Sequence, residues 1–404
     1  MVADGYKETE IGVIPVEWEV VELGDILEYE QPTKYLVDTT DYNENYKTPV
    51  LTAGKTFILG YTNDKNGIYN NLPAIIFDDF TTASKYVNFP FKAKSSAMKI
   101  LKVKDKKYPT NLFYEYLNNV EFEAGTHKRY WISEYQKLKI PLPPLKEQEK
   151  IADILCSADD KIDAIASQIE KAETLKMGLL QKLLSEGIGH SEFKDSELGK
   201  IPESWEVVKI GSILELLTDY HANGSYEKLS ENVSLLDKED YSIMVRTTNF
   251  EKNDFKDNLI YIDEFSYNYL KKSKVYEHDV IINKIANAGA TYLMPKIDKP
   301  VSLAMNLFLL RFKDNILKQY VYFQIKKNED RLKLLASGTS TKTITKDDVR
   351  GFEILLAPLE EQKQIADILS TSDEKLEVLR DKKQKYETLK KGLLQKLLSG
   401  EIRV

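Results

Sequence analysis

The chain has 404 residues, which suits two or three domains rather than one, and no apolar run approaches the roughly 18 residues that cross a membrane. A single cysteine, Cys156, excludes an internal disulfide, and the first residues contain no apolar signal core, so we expect a cytoplasmic protein. The net charge of −7 argues only mildly against a nucleic-acid binder, because phosphate contacts depend on local clusters of Lys and Arg.

The first predicted elements form a conserved-looking frame in residues 11–28. Residues 18–23 are predicted to form a strand and residues 24–28 a short helix, and in the second copy residues 205–210 are predicted to form the strand and residues 211–217 the helix. The frame recurs 187 positions later in residues 198–215, where 11 of 18 residues are identical. The chain is therefore an internal repeat, and Trp18 and Trp205, at matching positions, are predicted to be core or helix-packing anchors.

Each frame is followed by a variable segment, residues 29–140 in the first copy and 216–354 in the second. These segments hardly align, and the second is 27 residues longer. Strands are predicted at residues 74–77, 280–282 and 307–310, and helices near residues 112–118 and 317–326. Each copy is thus expected to form a mixed α/β module.

Each module ends in a long amphipathic helix. Residues 144–185 recur as residues 358–399 with 24 of 42 identical, and their apolar residues step by four and three, as in a heptad repeat. Each helix would be about 60 Å long and would end near Gly187 or Gly400. The predicted helix-pair interface consists of Ile151, Leu155, Ile162, Ile165, Ile169, Leu179, Leu183, Ile365, Leu369, Leu376, Leu379, Leu393 and Leu397.

The order of elements predicts an α+β fold with a pseudo-two-fold repeat. The first helix leads from module 1 to the start of module 2, and an equivalent second helix would lead back, so the pair is expected to be antiparallel. The predicted boundaries are residues 1–143 for module 1, 144–190 for the first helix, 191–357 for module 2 and 358–404 for the second helix.

Known catalytic constellations are missing from the sequence. The four histidines show no metal-ligand spacing, and a single cysteine excludes a zinc knuckle. Gly54-Lys55-Thr56 resembles the end of a P-loop, but Pro49 stands where the first glycine is required. No catalytic residue and no metal ligand are therefore predicted.

The repeated motifs resemble the specificity subunit of type I restriction–modification systems. The string IPLPPLKEQ at residues 140–148 leads into the first long helix, and PLEEQ at residues 358–362 begins the second. The pattern I-P-x-x-W-E at residues 14–19 and 201–206 resembles the start of that family's target-recognition domains. The resemblance covers nearly the whole chain, and the duplicated order is more specific than any single motif.

This resemblance implies a DNA-recognising protein with no chemistry of its own. Each target-recognition domain would recognise half of a split site in double-stranded DNA, and the helices would act as the spacer. Two modification (methyltransferase) subunits would dock on the helices, and restriction subunits would join the assembly. S-adenosylmethionine, ATP and magnesium are expected on those partners and no cofactor on this chain.

Two polar segments of module 1 are candidates for DNA contact. The string FDDFTTASKY at residues 77–86 resembles a loop of the family, and GTHKRYW at residues 125–131 combines cations with aromatics. A polar hairpin tip is an equally good interpretation of the first. The candidates are Thr81, Thr82, Lys85, Tyr86, Thr126, His127, Lys128, Arg129 and Tyr130.

Three segments of module 2 are further candidates. They are the strings RTTN at residues 246–249, NKIANAG at 283–289 and SGTSTK at 337–342, in which Arg suits guanine and Asn suits adenine. Strand ends also use Asn and Arg for structure, and that alternative stays open. The candidates are Arg246, Thr247, Asn249, Lys284, Asn287, Thr339, Ser340, Thr341 and Lys342.

Two other classes of protein compete with this interpretation. A duplicated coiled-coil scaffold that binds protein partners without DNA would suit the acidic charge. The second alternative is an enzyme with an unrecognised active site in one module, which the absence of known catalytic motifs disfavours. The polar loops and the family resemblance favour a DNA specificity subunit.

Overall fold

A computed structural model describes residues 3–54, 56–119 and 129–404. The chain divides into two compact units. Unit 1 comprises Met1–Gln168 and Leu379–Val404, and unit 2 comprises Ile169–Val378. Each unit therefore combines one module with half of each long helix.

Unit 1 contains eleven strands among its described residues. They are β1 (Tyr6–Thr9), β2 (Gly12–Pro15), β3 (Glu19–Glu22), β4 (Leu27–Glu30), β5 (Thr48–Leu51), β6 (Ile58–Thr62), β7 (Ala74–Asp78), β8 (Ser84–Val87), β9 (Lys92–Ala93), β10 (Met98–Val103) and β11 (Lys139–Leu142). Its module helices are α1 (Leu23–Ile26), α2 (Thr110–Asn118) and α3 (Tyr130–Ser133), with 3-10 turns at Pro32–Tyr35 and Tyr135–Lys137. The first long helix is α4 (Leu145–Glu186).

Unit 2 contributes a further twelve strands. They are β12 (Phe193–Ser196), β13 (Gly199–Pro202), β14 (Glu206–Lys209), β15 (Leu214–Asp219), β16 (Ser242–Val245), β17 (Ile260–Ile262), β18 (Lys274–Val275), β19 (Val280–Asn283), β20 (Thr291–Leu293), β21 (Val301–Leu303), β22 (Leu307–Phe312) and β23 (Glu353–Leu356). The helices are α5 (Ile210–Ile213), α6 (Tyr226–Asn232), α7 (Thr247–Lys252), α8 (Glu264–Tyr269), α9 (Lys318–Lys327), α10 (Glu329–Leu334) and α11 (Lys346–Gly351), with 3-10 turns at Tyr220–Asn223 and Lys271–Ser273. The second long helix is α12 (Leu359–Ser399).

The two units repeat one sheet plan. Unit 1 has an antiparallel sheet in the order β4-β10-β7-β8, and unit 2 has the equivalent order β15-β22-β19-β20. The strands β7 and β19 are buried along nearly their whole length, which explains why they are apolar runs without alternation. A second sheet in each unit contains one parallel pair, β5 with β9 and β16 with β21.

The frame closes each module by pairing its beginning with its end. Strand β3 is antiparallel to β11, and β14 is antiparallel to β23. The predicted opening strands are thus confirmed. The helices predicted at residues 24–28 and 211–217 are wrong beyond Ile26 and Ile213, because Leu27–Glu30 pairs with β10 as strand β4 and Leu214–Asp219 pairs with β22 as strand β15. Tertiary pairing here overrides local propensity.

The extra residues of the second variable segment are largely helical. Between β4 and β7, the described residues of unit 1 contain a single 3-10 turn and no α-helix. Between β15 and β19, unit 2 contains α6, α7 and α8. The modules therefore share a scaffold but differ in the loops that it carries.

The repeated Pro-Leu-x-Glu-Gln motif fixes each long helix to the frame. The buried Trp18 indole donates a hydrogen bond to Glu147 Oε2 at 2.9 Å, and Arg403 Nε donates to Glu147 Oε1 at 2.6 Å. In unit 2, Trp205 donates to Glu361 Oε2 at 2.8 Å, and His190 Nε2 lies 2.8 Å from Glu361 Oε1. The tryptophans are core anchors, as predicted.

The long helices are antiparallel within each unit. In unit 1, Asp159 of α4 lies 2.7 Å from Lys390 of α12, and Glu147 near the start of α4 binds Arg403, which follows the end of α12. In unit 2, Lys176 pairs with Asp373, and Glu361 accepts a bond from the Ile188 amide at 2.9 Å. Residues later in α4 therefore contact residues earlier in α12. The α+β class and the antiparallel helices are confirmed.

Most residues of the predicted helix stripe are buried. The ends of the stripe also complete the module cores, where Ile151 and Leu155 share a cluster with Trp18, and Ile365 and Leu369 share one with Trp205. Ile162, Ile169, Leu179 and Leu393 are half-buried. The stripe residues that are buried are Ile151, Leu155, Ile165, Leu183, Ile365, Leu369, Leu376, Leu379 and Leu397.

The heptad pattern wrongly predicts that one leucine of each helix is buried. Leu175 and Leu389 would continue the apolar stripe, but they are 61% and 56% exposed. The residues further along each stripe, Leu183 and Leu397, are buried again, so the departure from the pattern is local to this position. Both helices end as predicted, at Gly187 and Gly400, whose φ angles are 66° and 75°.

Candidate nucleic-acid interface

A tightly bonded hairpin joins β7 to β8 in unit 1. The Asp78 carboxylate accepts hydrogen bonds from the amides of Phe80 at 2.8 Å and Thr81 at 3.1 Å. The Thr82 amide donates to the Asp78 carbonyl at 2.9 Å, and Thr82 has a φ of 62°. This turn projects residues 80–82 beyond the sheet in a fixed conformation.

Asp79 ties this hairpin to the start of α3. Its buried carboxylate lies 3.3 Å from Lys99 Nζ and accepts a bond from the Trp131 amide at 2.9 Å. The Tyr130 amide donates to the Asp79 carbonyl at 3.0 Å. Two segments that are some 50 residues apart in the sequence therefore meet at one edge of the sheet.

The exposed candidates of unit 1 lie on and beside this hairpin. Thr81, Lys85 and Arg129 are exposed, and Thr82 is half-buried. The predicted residues Thr126, His127 and Lys128 lie outside the described residues. Cations and hydroxyls are thus presented at the edge where the two segments meet.

Two aromatic candidates of unit 1 lie elsewhere. Tyr130 is only 2% exposed and belongs to the core of unit 1, which favours a packing role for its side chain over the predicted DNA contact. Tyr86 is half-buried in a cleft of about 340 Å³ that is also lined by Tyr114, Asp159 and Lys390. Burial raises the pKa of Tyr86. The carboxylates of this cleft make it a poor surface for phosphate.

Three predicted segments converge in unit 2. Thr247 Oγ1 lies 3.3 Å from Asn283 Oδ1, which joins the start of α7 to the end of β19. The Ala286 amide donates to the Lys342 carbonyl at 3.1 Å, which joins the β19–β20 loop to residues 337–343. The Ile344 amide donates to the Lys284 carbonyl at 3.0 Å, the counterpart of the bond from Tyr130 to Asp79 in unit 1.

The exposed members of this group are mostly hydroxyl and amide residues. Arg246, Thr247 and Lys284 are half-buried, and the Arg246 guanidinium donates to the Asn258 carbonyl at 3.0 Å. The candidates that are exposed are Asn287, Thr339, Ser340, Thr341 and Lys342.

Asn249, a predicted DNA contact, forms hydrogen bonds at both ends of α7. Its side chain is buried, accepts a bond from the Arg246 amide at 2.9 Å and donates to the Asp254 carbonyl at 3.0 Å. Both bonds stabilise α7. This burial favours the structural alternative for strand-end Asn residues over the predicted DNA contact.

A buried carboxylate forms ion pairs with two lysines at this edge. Asp219, at the end of β15, lies 3.2 Å from Lys284 Nζ and 3.1 Å from Lys346 Nζ. Burial alone would raise the pKa of Asp219, but hydrogen bonds from Lys346 and Lys284 outweigh it and hold the pKa below its usual value. The charge of Lys284 is thus largely balanced within unit 2.

The sequence patterns missed one loop in each unit that reaches the same edge. In unit 1, residues 94–97 join β9 to β10, and the Lys94 amide donates to the Leu51 carbonyl at 2.9 Å. In unit 2, the Ala304 amide donates to the Val245 carbonyl at 2.9 Å, and the Lys284 amide donates to the Asn306 carbonyl at 2.7 Å. Their position depends on parallel pairing between distant strands, for which no local signal exists.

The described part of the chain offers neither a clustered metal site nor a membrane span. No group of three or more His, Cys, Asp or Glu residues is placed there to hold a metal ion. None of the described helices is long and apolar enough to cross a membrane.

A sheet plan built twice, with different polar loops at the same edge, defines a duplicated recognition protein. The family model for the type I restriction modification DNA specificity domain matches residues 15–174 and again residues 202–388. The chain therefore belongs to the type I restriction–modification DNA specificity family. It is a non-catalytic subunit that supplies DNA sequence specificity, as its resemblance to the family implied.

Individual relatives agree with this assignment. The EcoR124I/EcoR124II specificity subunit of Escherichia coli is 34% identical over 389 residues, which cover 91% of this chain and 89% of that protein. The putative MjaX specificity subunit of Methanocaldococcus jannaschii is 29% identical over 440 residues, covering 99% and 97%. The crystal structure of a type I S subunit from M. genitalium matches the fold with a TM-score of 0.66 at 14% identity, covering 94% and 96%.

Proposed function

We propose that each unit recognises one half of a split DNA site through the loops at the common edge of its four-stranded sheet. In unit 1 these are the β7–β8 hairpin and Arg129, the residue before α3. In unit 2 they are the β19–β20 loop, residues 337–343 and the turn before α7. The convergence of segments far apart in the sequence, in both units and at equivalent edges, is the observation that supports this proposal.

The side chains at these edges suit two kinds of DNA contact, one with phosphates and one with bases. Lys85, Arg129 and Lys342 are exposed cations, which suit phosphate oxygens and fix the register on the duplex. Asn287 and Arg246 carry the amide and guanidinium groups that form paired hydrogen bonds with adenine and guanine. Because the exposed residues differ between the units, the two half-sites should differ in sequence.

The phosphate contacts can be tested through salt dependence. Lys342→Ala should weaken DNA binding by the assembled complex and reduce the slope of log affinity against log salt by about one, because one phosphate contact is lost. Lys375→Ala is the matched control, since Lys375 is an exposed lysine of the same unit on α12. Equal slopes for Lys342→Ala and the control would contradict a phosphate contact at residue 342.

We further propose that the helices dock two modification subunits on a repeated surface. Residues 173–185 and 387–399 are identical at 12 of 13 positions, whereas residues 156–172 and 370–386 are identical at only 3 of 17. Folding explains identity at buried leucines, but Leu175 and Leu389 are both exposed. A surface leucine kept in both copies suits two copies of the same protein partner. Restriction subunits, and the cofactors of the chemistry, would belong to the rest of the assembly.

This docking proposal is tested by counting partners. Native mass spectrometry of the assembled complex should give two modification subunits per chain, one for Leu175→Glu, and none for the variant that also carries Leu389→Glu. Met177→Lys is the matched control, because Met177 is equally exposed, at 64%, but is replaced by Lys391 in the other copy. Two bound subunits in the double variant would contradict docking at these leucines.

A further inference from the structure

Phe80 is an exposed aromatic residue at the tip of the β7–β8 hairpin. It is 48% exposed, between the buried Asp79 and the exposed Thr81. Single exposed apolar residues are common on protein surfaces and need no explanation by themselves. The environment of Phe80 is what distinguishes it.

The hairpin holds Phe80 in a fixed position. The Phe80 amide donates to the Asp78 carboxylate at 2.8 Å, and the Asp78 amide donates to the Ala83 carbonyl at 2.8 Å. On the other side of the turn, Asp79 is fixed by Lys99 and by the Trp131 amide. The ring is therefore presented by a backbone that loses little conformational freedom when a ligand binds.

The residues around the ring suit nucleic acid better than a protein groove. Thr81, Lys85 and Arg129 are exposed at the same edge, so the apolar ring is surrounded by hydroxyls and cations. Such a border fits a duplex, whose backbone is anionic and whose only apolar surfaces are the faces of stacked bases and the thymine methyl group.

We propose that Phe80 is a wedge that inserts between two base pairs of the half-site recognised by unit 1. This inference rests on the proposed function of the hairpin as a DNA contact. Phenylalanine wedges unstack a base step and kink the duplex, and the ring gains stacking on a base face in return. Pyrimidine–purine steps unstack most readily, so such a step is expected where Phe80 enters.

Unit 2 should leave its own half-site stacked. Its equivalent β19–β20 loop, residues 284–290, has the sequence KIANAGA and contains no aromatic residue. A distortion that depends on the aromatic ring is therefore expected in only one half of the split site, which provides an internal control on the same DNA molecule.

The test uses 2-aminopurine, whose fluorescence is quenched by stacking and rises when its neighbour is displaced. The probe is a duplex that carries the site found by sequencing DNA modified by the assembled enzyme. 2-Aminopurine replaces one purine at a time, except the adenines that are methylated. The wild-type complex should raise the fluorescence severalfold at one step of the unit 1 half-site, and at no step of the unit 2 half-site.

Phe80→Ala should abolish this rise and weaken binding about tenfold, while the melting temperature stays unchanged because the side chain is exposed. Val13→Ala, which also removes an exposed apolar side chain from unit 1, should keep the rise. A rise of the same size in Phe80→Ala, or quenched 2-aminopurine at every step with the wild type, would overturn the wedge.

Failure of the wedge and failure of the interface are distinguishable. Lys85→Ala tests the hairpin without touching the ring, because it removes a cation that is proposed to bind phosphate. A reduced salt slope in Lys85→Ala together with quenched 2-aminopurine in the wild type would overturn the wedge and leave the DNA-contacting hairpin in place. An unchanged slope in Lys85→Ala would count against the hairpin itself.

Discussion

At the scale of single residues, the interface of unit 2 depends on one carboxylate. Asp219 contacts Lys284 on the β19–β20 loop and Lys346 at the start of α11, so it joins three elements that the sequence places far apart. Each of these lysines forms an ion pair with this largely buried carboxylate, which fixes the position of its ammonium group. Asp219 is therefore a positioning residue for the loops that we assign to DNA.

Asp219→Asn should destabilise unit 2 by about 2 kcal/mol at neutral pH, because charge-assisted hydrogen bonds to two lysines are lost. The folded-state pKa of Asp219 is depressed, so its contribution to stability is present above the unfolded-state pKa and is lost as the pH falls through the folded-state pKa. The difference in unfolding free energy between wild type and variant should thus shrink in acid. Urea titrations at several pH values measure it, and a difference that is independent of pH would count against this role.

At the scale of elements, the long helices combine buried and exposed leucines that the heptad pattern does not separate. Ile151 is completely buried beside Trp18, whereas Leu175 on the same helix faces solvent. Substitution of the two residues should therefore change the unfolding free energy by very different amounts. Packing and the partner binding that we propose thus involve different faces of the same helix.

Ile151→Ala should lower the unfolding free energy by about 3 kcal/mol, because a buried aliphatic side chain is replaced by a cavity. Leu175→Ala should change it by less than about 0.5 kcal/mol, because the removed side chain is largely in water. Thermal or chemical unfolding of both variants measures these changes in unfolding free energy. Equal losses would mean that the exposed leucine is buried in the folded protein in solution.

The elements with strong periodicity were predictable, and those set by distant pairing were not. The long helices and the buried strands β7 and β19 have local signals in spacing and composition. Residues 214–217 have no such signal, because β22 determines that they form a strand. Among the candidate site residues, Tyr130 and Asn249 are buried for the same reason, since their neighbours come from other parts of the chain. Phe80 could not be predicted as a contact residue, because a single apolar residue in a polar hairpin gives no sequence signal of whether it is buried or exposed.

At the scale of the whole molecule, each unit is completed by a helix segment from the other half of the sequence. The core of unit 1 includes Leu397 and Leu398 of α12, and Lys390 binds the buried Glu115 of its module. The corresponding residues of α4 are Leu183, Leu184 and Lys176, which are of the same types. The two long helices therefore have the same residue types at the positions where α12 completes the core of unit 1.

A half-chain of residues 1–190 should consequently form a dimer in which α4 of each copy completes the module of the other. Lys176 of one copy would take the place of Lys390 beside Glu115, and the leucines of residues 179–184 would take the place of those of α12. Light scattering at micromolar concentration measures the mass. A folded monomer would contradict this exchange, because the core of unit 1 would then be stable without the second helix segment.

The discontinuity of unit 1 has a consequence for how the protein is made. Leu379 leaves the ribosome about 210 residues after Gln168, which corresponds to roughly 10–40 s at ordinary rates of synthesis. During that interval the first module lacks the segment that closes its core, whereas unit 2 is continuous in the sequence and has all its residues before synthesis ends. The module made first is therefore the last to be finished, and a nascent chain exposes its apolar surface to chaperones and proteases until the final turns of α12 emerge.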